Sequence, residues 1–264
     1  MKHRVTSLLL IAILIVPKLG FTQESDELPF GLGEEFVFDI QSSRLGNVGR
    51  GRLGICGPDT VRGRETHVLY FDLRTRVTVF KVEDQTRSWV ELDSMSSLRY
   101  YKQEKNPLKT HVEKVDMWLE EGRWKSEDGE TGVLASSSPL DELSFIYLLR
   151  TLPFDEGRTW SLDRHFDTRR NPVVIQFIGR ENIETVLGEM STLVVEMRVR
   201  DAERFHGEGA IRFYLTDDAW RLPVRITTSA PLAGQLTMDM VQYTPPENIS
   251  EGERVLQRVP CPTL

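Results

Sequence analysis

The chain has 264 residues, of which 39% are hydrophobic and 28% charged, and it carries a formal charge of −7. That balance suits a globular protein with a sizeable core, in one large β domain or two small ones, and excludes pervasive disorder. Its Lys and Arg are spread through the sequence among acids, whereas nucleic acids and anionic lipids select clustered cations, so no nucleic-acid partner is expected.

Residues 1–22 read as a signal peptide. Lys2, His3 and Arg4 form a basic start, and the apolar run Leu8 to Val16 ends at Pro17. The run is short for a bilayer span and has the proportions of a secretory h-region. Gly20 and Thr22 allow cleavage before Gln23; an uncleaved anchor is the competing reading. The leader removes Lys2, Arg4 and Lys18 and takes the mature chain from −7 to about −10. The expected location is the periplasm or cell envelope, and no transmembrane span is expected in the mature chain.

Residues 23–33 form a polar lead-in, and 34–244 are expected to make a single β-rich domain. Phe36, Phe38 and Ile40 alternate on one face of a first strand. Asn47 to Cys56 is a glycine-rich stretch in which Gly49 and Gly51 suggest a bent or closely approached backbone. It lacks the Gly-Lys-Ser/Thr ending of a phosphate loop, and no helix-forming stretch follows it. Strands are then expected at 64–73, 76–82, 86–92, 98–104 and 109–119, with turns at Thr75, Asp84, 93–96 and Asn106-Pro107. Trp89, Trp118 and Trp124 read as core or rim aromatics. Glu120-Glu121-Gly122 and Glu127-Asp128-Gly129 read as hairpin turns in which glycine supplies a positive φ.

Pro139 to Pro153 is the one stretch that reads as a helix. Leu140, Leu143, Ile146, Tyr147 and Leu149 follow amphipathic spacing. Pro139 is placed to open it with Ser138 as N-cap, Asp141 and Glu142 favour its first turn, and Pro153 stops it. A helix this short and this apolar on one face must pack on the sheet. The run PLDELSFIYLLRTLPFDEGRTW (residues 139–160), and then Tyr214 to Ile226 (YLTDDAWRLPVRI), resembles the bacterial exported-protein family known as domain of unknown function 3108. The likeness extends over about residues 33 to 244. It implies an exported, β-rich protein with no assigned activity, and it transfers no functional residue.

Beyond the helix, strands are expected at 158–166, 172–178, 181–187, 191–200, 209–216, 222–229 and 235–243, with Pro223 at a strand start or on an edge. Residues 245–264 read as an irregular tail. The resulting fold is mainly β, a strongly curved antiparallel sheet of about a dozen strands. One short amphipathic helix packs on it in an incomplete or flattened barrel, with a two-sheet sandwich as the competitor.

Candidate chemistry is sparse. Cys56 and Cys261 are the only cysteines, and in an exported protein two can form one disulfide. Asp163, His165 and Asp167 alternate, and in an extended strand they would share one face as a carboxylate–imidazole–carboxylate set for a transition metal. A solvated strand explains them better. Asp217-Asp218 is read as a turn, since adjacent strand residues point to opposite faces. His67, His111 and His206 are isolated, and Asn248-Ile249-Ser250 matches a glycosylation acceptor. With no catalytic, cofactor or metal motif, the leading reading is a non-enzymatic envelope protein. Its curved sheet would bind a lipid or other apolar ligand, or an envelope protein partner, with the helix as a lid. The alternative is a metal-dependent or hydrolytic enzyme using Asp163, His165 and Asp167.

Overall fold

The computed structural model of the protein describes residues 28–77, 80–201, 207–230, 233–247 and 259–263. The leader, His206 and Asn248 to Ser250 lie outside them. Fourteen antiparallel strands form one sheet. They are β1 (Glu35–Ser42), β2 (Gly46–Val61), β3 (Arg64–Val77), β4 (Phe80–Glu91), β5 (Ser96–Lys105), β6 (Thr110–Trp118), β7 (Arg123–Ser126) and β8 (Thr131–Val133). After the helix α1 (Glu142–Thr151) come β9 (Thr159–Leu162), β10 (Val173–Thr185), β11 (Gly188–Asp201), β12 (Gly207–Thr216), β13 (Pro223–Ala230) and β14 (Gly234–Thr244).

The strand order is β8-β7-β6-β5-β4-β3-β2-β1-β14-β13-β12-β11-β10-β9. Two meanders therefore meet where the first strand pairs with the last, from Glu35 opposite Thr244 to Ser42 opposite Leu236. The sheet is not closed into a barrel, since β8 and β9 remain its two edges. The gap between the meanders is spanned by Pro139-Leu140. Ser97 donates its N–H to the Pro139 carbonyl, Leu140 donates to Arg164 O, and Phe166 donates to Leu140 O.

The glycine-rich stretch is a strand in close contact with its neighbours. A Cβ on Gly49 would lie 2.1 Å from the Arg74 carbonyl oxygen, and one on Gly54 would lie 2.5 Å from the carbonyl oxygen of Glu34. No side chain fits there. Three expectations are corrected. Thr75 and Asp84 are not turns, because they lie inside β3 and β4, opposite Val82 and Leu73 respectively. The short strand expected at 76–82 does not exist, since those residues flank the β3–β4 hairpin. Polar residues in long strands imitate turn formers whenever one face meets solvent. Residues 172–178 and 181–187 are likewise one strand, β10, kinked by a register shift between Phe177 and Gly179.

The helix also begins later than expected. Ser138 is not its cap and Pro139 is not helical, because Pro139-Leu140 are spent on the strand-like bonds above. Asp141 is the N-cap: its carboxylate accepts from Leu143 N and Ser144 N, while the Ser144 hydroxyl accepts from Asp141 N at 2.8 Å. This reciprocal capping box satisfies three otherwise orphaned donors. The helix ends at Thr151, and the Leu152 cap is extended ahead of Pro153.

Candidate functional site

The two faces of the sheet offer different chemistry. On the concave face, α1 packs into an apolar core that includes Phe36, Phe38, Leu53, Leu69, Leu143, Phe145, Tyr147, Val195 and Phe213. The helix is held at both ends. At its N-terminus the buried Asp141 carboxylate also accepts from Ser88 Oγ, and Ser97 Oγ lies 3.0 Å from Ser144 Oγ, so β4 and β5 both hold the cap. Burial pushes the Asp141 carboxyl up, against the hydrogen bonds that favour its charged form. Near its C-terminus Arg150, 1% exposed, forks onto the fully buried Glu34 at 2.6 and 2.9 Å and donates to Trp220 O at 3.1 Å. Its guanidinium lies over the rings of Phe30, Phe36 and Tyr147 at 5.2 to 5.7 Å. An apolar ligand would have to displace this helix, so α1 is a plug and not a lid.

Asp163, His165 and Asp167 do not form a metal site. They lie beyond the end of β9, not in an extended strand. Asp163 is exposed, and the Asp167 carboxylate is taken up by Arg169 and by capping a single 3-10 turn, Thr168–Arg170. Among the described residues no three His, Cys, Asp or Glu side chains are grouped to hold a metal ion. His165 is buried, between Phe145 and Phe166 at 6.3 and 4.7 Å. Its Nδ1 accepts from Asp167 N at 3.1 Å, so its proton sits on Nε2, 3.8 Å from Glu142 Oε1. Burial lowers its pKa to about 4, which keeps the imidazole neutral at ordinary pH. It is a core histidine.

Asp217-Asp218 is a turn, as its sequence suggests. Asp218 accepts from Trp220 N and Arg221 N, and Asp217 pairs with Arg180 at 2.9 Å. His67 sits within β3 and His111 within β6.

The convex face carries what sequence reasoning missed. On β2 to β4 it is crossed by the chain's own C-terminal segment. Cys56 and Cys261 are joined by a disulfide, and Gly57 and Val259 exchange two backbone hydrogen bonds of 3.0 and 2.9 Å. Arg87 and Gln85 each donate at 3.3 Å to the carbonyls of Pro262 and Thr263. Val259 packs with Cys56, Val68, Tyr70 and Trp89. Beside this strap, on β4 to β7, lies an open groove of about 390 Å³ lined by Trp89, Arg99, Tyr101, Lys114, Asp116, Trp118 and Lys125. Its aromatics are held by cations: Arg99 lies 5.8 Å from the Trp89 ring centre, and Arg62 and Arg123 lie 4.9 and 4.4 Å from Trp118. Asp116 holds Arg62 and Arg99 at 2.6 and 2.9 Å. The hint in the sequence was period two: Arg99 and Tyr101, then Lys114, Asp116 and Trp118, put charge and aromatics on one face.

These features define a class: an open, plugged antiparallel half-barrel with a polar-aromatic groove on its outer face. The family model described as "Protein of unknown function (DUF3108)" matches residues 37–241, and the chain belongs to that family. No curated protein matches it. A solved structure similar to it is the beta-barrel-like protein of domain of unknown function DUF1849 from Brucella abortus. It is 13% identical, with a TM-score of 0.56, over 83% of this chain and 99% of the other. That likeness is one of fold. Among the described residues no helix is long and apolar enough to cross a membrane.

Proposed function

We propose that this is an exported cell-envelope protein that binds an extended polypeptide segment of a partner on the convex face of β4 to β7. The single observation that carries the reading is the strap. The chain's own Val259 to Pro262 already lies on this face as an extended segment, fixed by main-chain bonds and by Arg87. The groove continues from it through Trp89, which belongs to both the strap-covered cluster and the groove. Trp, Tyr and Arg are the side chains on which binding energy concentrates at protein interfaces, and here all three are pre-positioned by stacking. Export rests on the basic start and short apolar run of residues 1–22. The reading of a bound apolar ligand loses support because α1 and its core fill the concave face.

A photo-reactive amino acid at Tyr101, in cells exporting the protein, tests this. The expected result is one discrete cross-linked polypeptide that disappears with Trp118→Ala and does not form from a probe at Ile178, on the other meander. No adduct at Tyr101, or the same adducts from both positions, would overturn the reading. A stoichiometric lipid on the purified protein in native mass spectrometry would favour an apolar-ligand carrier instead.

A further inference from the structure

Because the first six strands form an antiparallel meander in sheet order, the β1–β2, β3–β4 and β5–β6 hairpins turn at the same end of the sheet. Their tips follow one another at about 10 Å, twice the strand spacing. Residues 42–50, 74–83 and 104–111, which make these three ends, hold seven Lys or Arg and two acids in a chain of net charge −7. Arg44, Arg74, Arg76, Lys81, Lys105 and Lys109 are all exposed. Arg76 lies directly opposite Lys81 across β3–β4. Two like charges facing each other destabilise a hairpin, so folding does not account for the pair.

The same tips expose apolar side chains. Leu108 is 94% exposed between Lys105 and Lys109, and Leu45 is 40% exposed beside Arg44. An aliphatic side chain held out among cations is poorly placed in water and well placed at the boundary of headgroups and acyl chains. The other end of the sheet is different, with Glu91, Asp93, Glu120, Glu121, Asp217 and Asp218 at or beside its turns. At the basic end the acidic turn is β7–β8, where Lys114 pairs with Glu127 and Arg169 with Glu130. The fold therefore gathers at one end the cations that the sequence spreads among acids, and gives the molecule an electrostatic polarity.

We propose that this end docks on an anionic lipid surface, with Leu108 entering the headgroup region and the Lys and Arg of the three hairpins facing lipid phosphates. Docking there would leave the groove on β4 to β7 at the side of the sheet, clear of the bilayer. The occupant is set by charge complementarity together with the exposed leucines. A soluble polyanion needs the cations but makes no use of Leu108, whereas a bilayer uses both.

The test is flotation of the full chain with vesicles of phosphatidylglycerol and phosphatidylethanolamine, against vesicles of phosphatidylcholine alone. Wild type and variants carry the same N-terminus, so any contribution of the leader is common to all. Wild type is expected to float with the anionic vesicles, less so as salt is raised, and not with the neutral ones. Lys105→Glu with Lys109→Glu should lower partitioning about tenfold or more, and Leu108→Asp by a similar factor, with thermal unfolding unchanged because all three sites are exposed. Equal binding to neutral vesicles, no binding, or full binding by Leu108→Asp would each overturn the proposal. So would tighter capture by heparin than by vesicles with no dependence on Leu108, which would make the patch a polyanion site.

Discussion

The two faces of one sheet have opposite designs. On the concave face every strong polar group is matched to another within the fold: Arg150 to Glu34, Asp141 to the serine hydroxyls and amides around it, and Asn171 to the His165 backbone. On the convex face the polar groups hold aromatic rings open to solvent, and the one covered patch is covered by a tethered tail. Buried polar groups are costly unless satisfied, so the concave face is committed to stability. A half-exposed aromatic costs the fold little and is free for a partner. Substitutions on the concave face should therefore change folding, and those in the groove should change binding alone.

The sharpest break in that contrast is at Arg150. Arg150→Met leaves Glu34 as a buried carboxylate with its main partner gone, and should cost about 3–5 kcal/mol, read as a lower urea midpoint. Adding Glu34→Gln should recover part of the loss, because the uncompensated charge is then removed.

Next in size is the tether between tail and sheet. Cys56 and Cys261 are 205 residues apart, so the bridge closes nearly the whole fold into one loop, and Cys56→Ser should cost about 2–5 kcal/mol. A dithiol reductant acting on the wild type should reproduce the loss and make residues beyond Val259 sensitive to protease. An unchanged midpoint would show that the strap holds without the bridge.

His165 sets a pH signature of somewhat smaller size. Its folded pKa of about 4 lies below the ordinary value of 6.5, so between those pH values the unfolded chain binds a proton that the folded chain does not. Stability is then fully present above pH 6.5 and falls as pH drops toward 4, by roughly 3 kcal/mol at most. Asp141 works the other way. Its raised carboxyl binds a proton in the fold before the unfolded chain does, which offsets part of the loss at the acid end. Denaturation from pH 7 to pH 4 should show a steeper slope in wild type than in His165→Leu.

The smallest effect on folding belongs to the groove. Trp118→Ala should move the unfolding midpoint by no more than about 0.5 kcal/mol, as for a surface site, yet abolish cross-linking from Tyr101. A large loss of stability from this change would place Trp118 with the structural residues and erase the contrast between the faces.

Much of this was legible from residue order. Alternation at Phe36, Phe38 and Ile40, or at Val195 and Met197, follows from the period of an extended chain and needs no tertiary information. The helix was visible in its 3.6 spacing and in Pro153, and the family in the helix run and in Tyr214 to Ile226. Local signals failed where a residue had two uses. Ser138-Pro139 has the chemistry of a helix start, but the fold spends Pro139-Leu140 on joining the two meanders and leaves capping to Asp141. Asp163, His165 and Asp167 have the spacing of a metal strand, but the chain turns after Leu162 and buries the imidazole among aromatics. Asp84 and Thr75 resemble turn residues because nothing local tells a solvent face from a loop. What residue order alone determined was the period of each element and where the helix stops. Which face is plugged, which is left open, and where the scattered cations gather was decided by long-range pairing, β1 with β14 and Cys56 with Cys261, between residues about 200 positions apart.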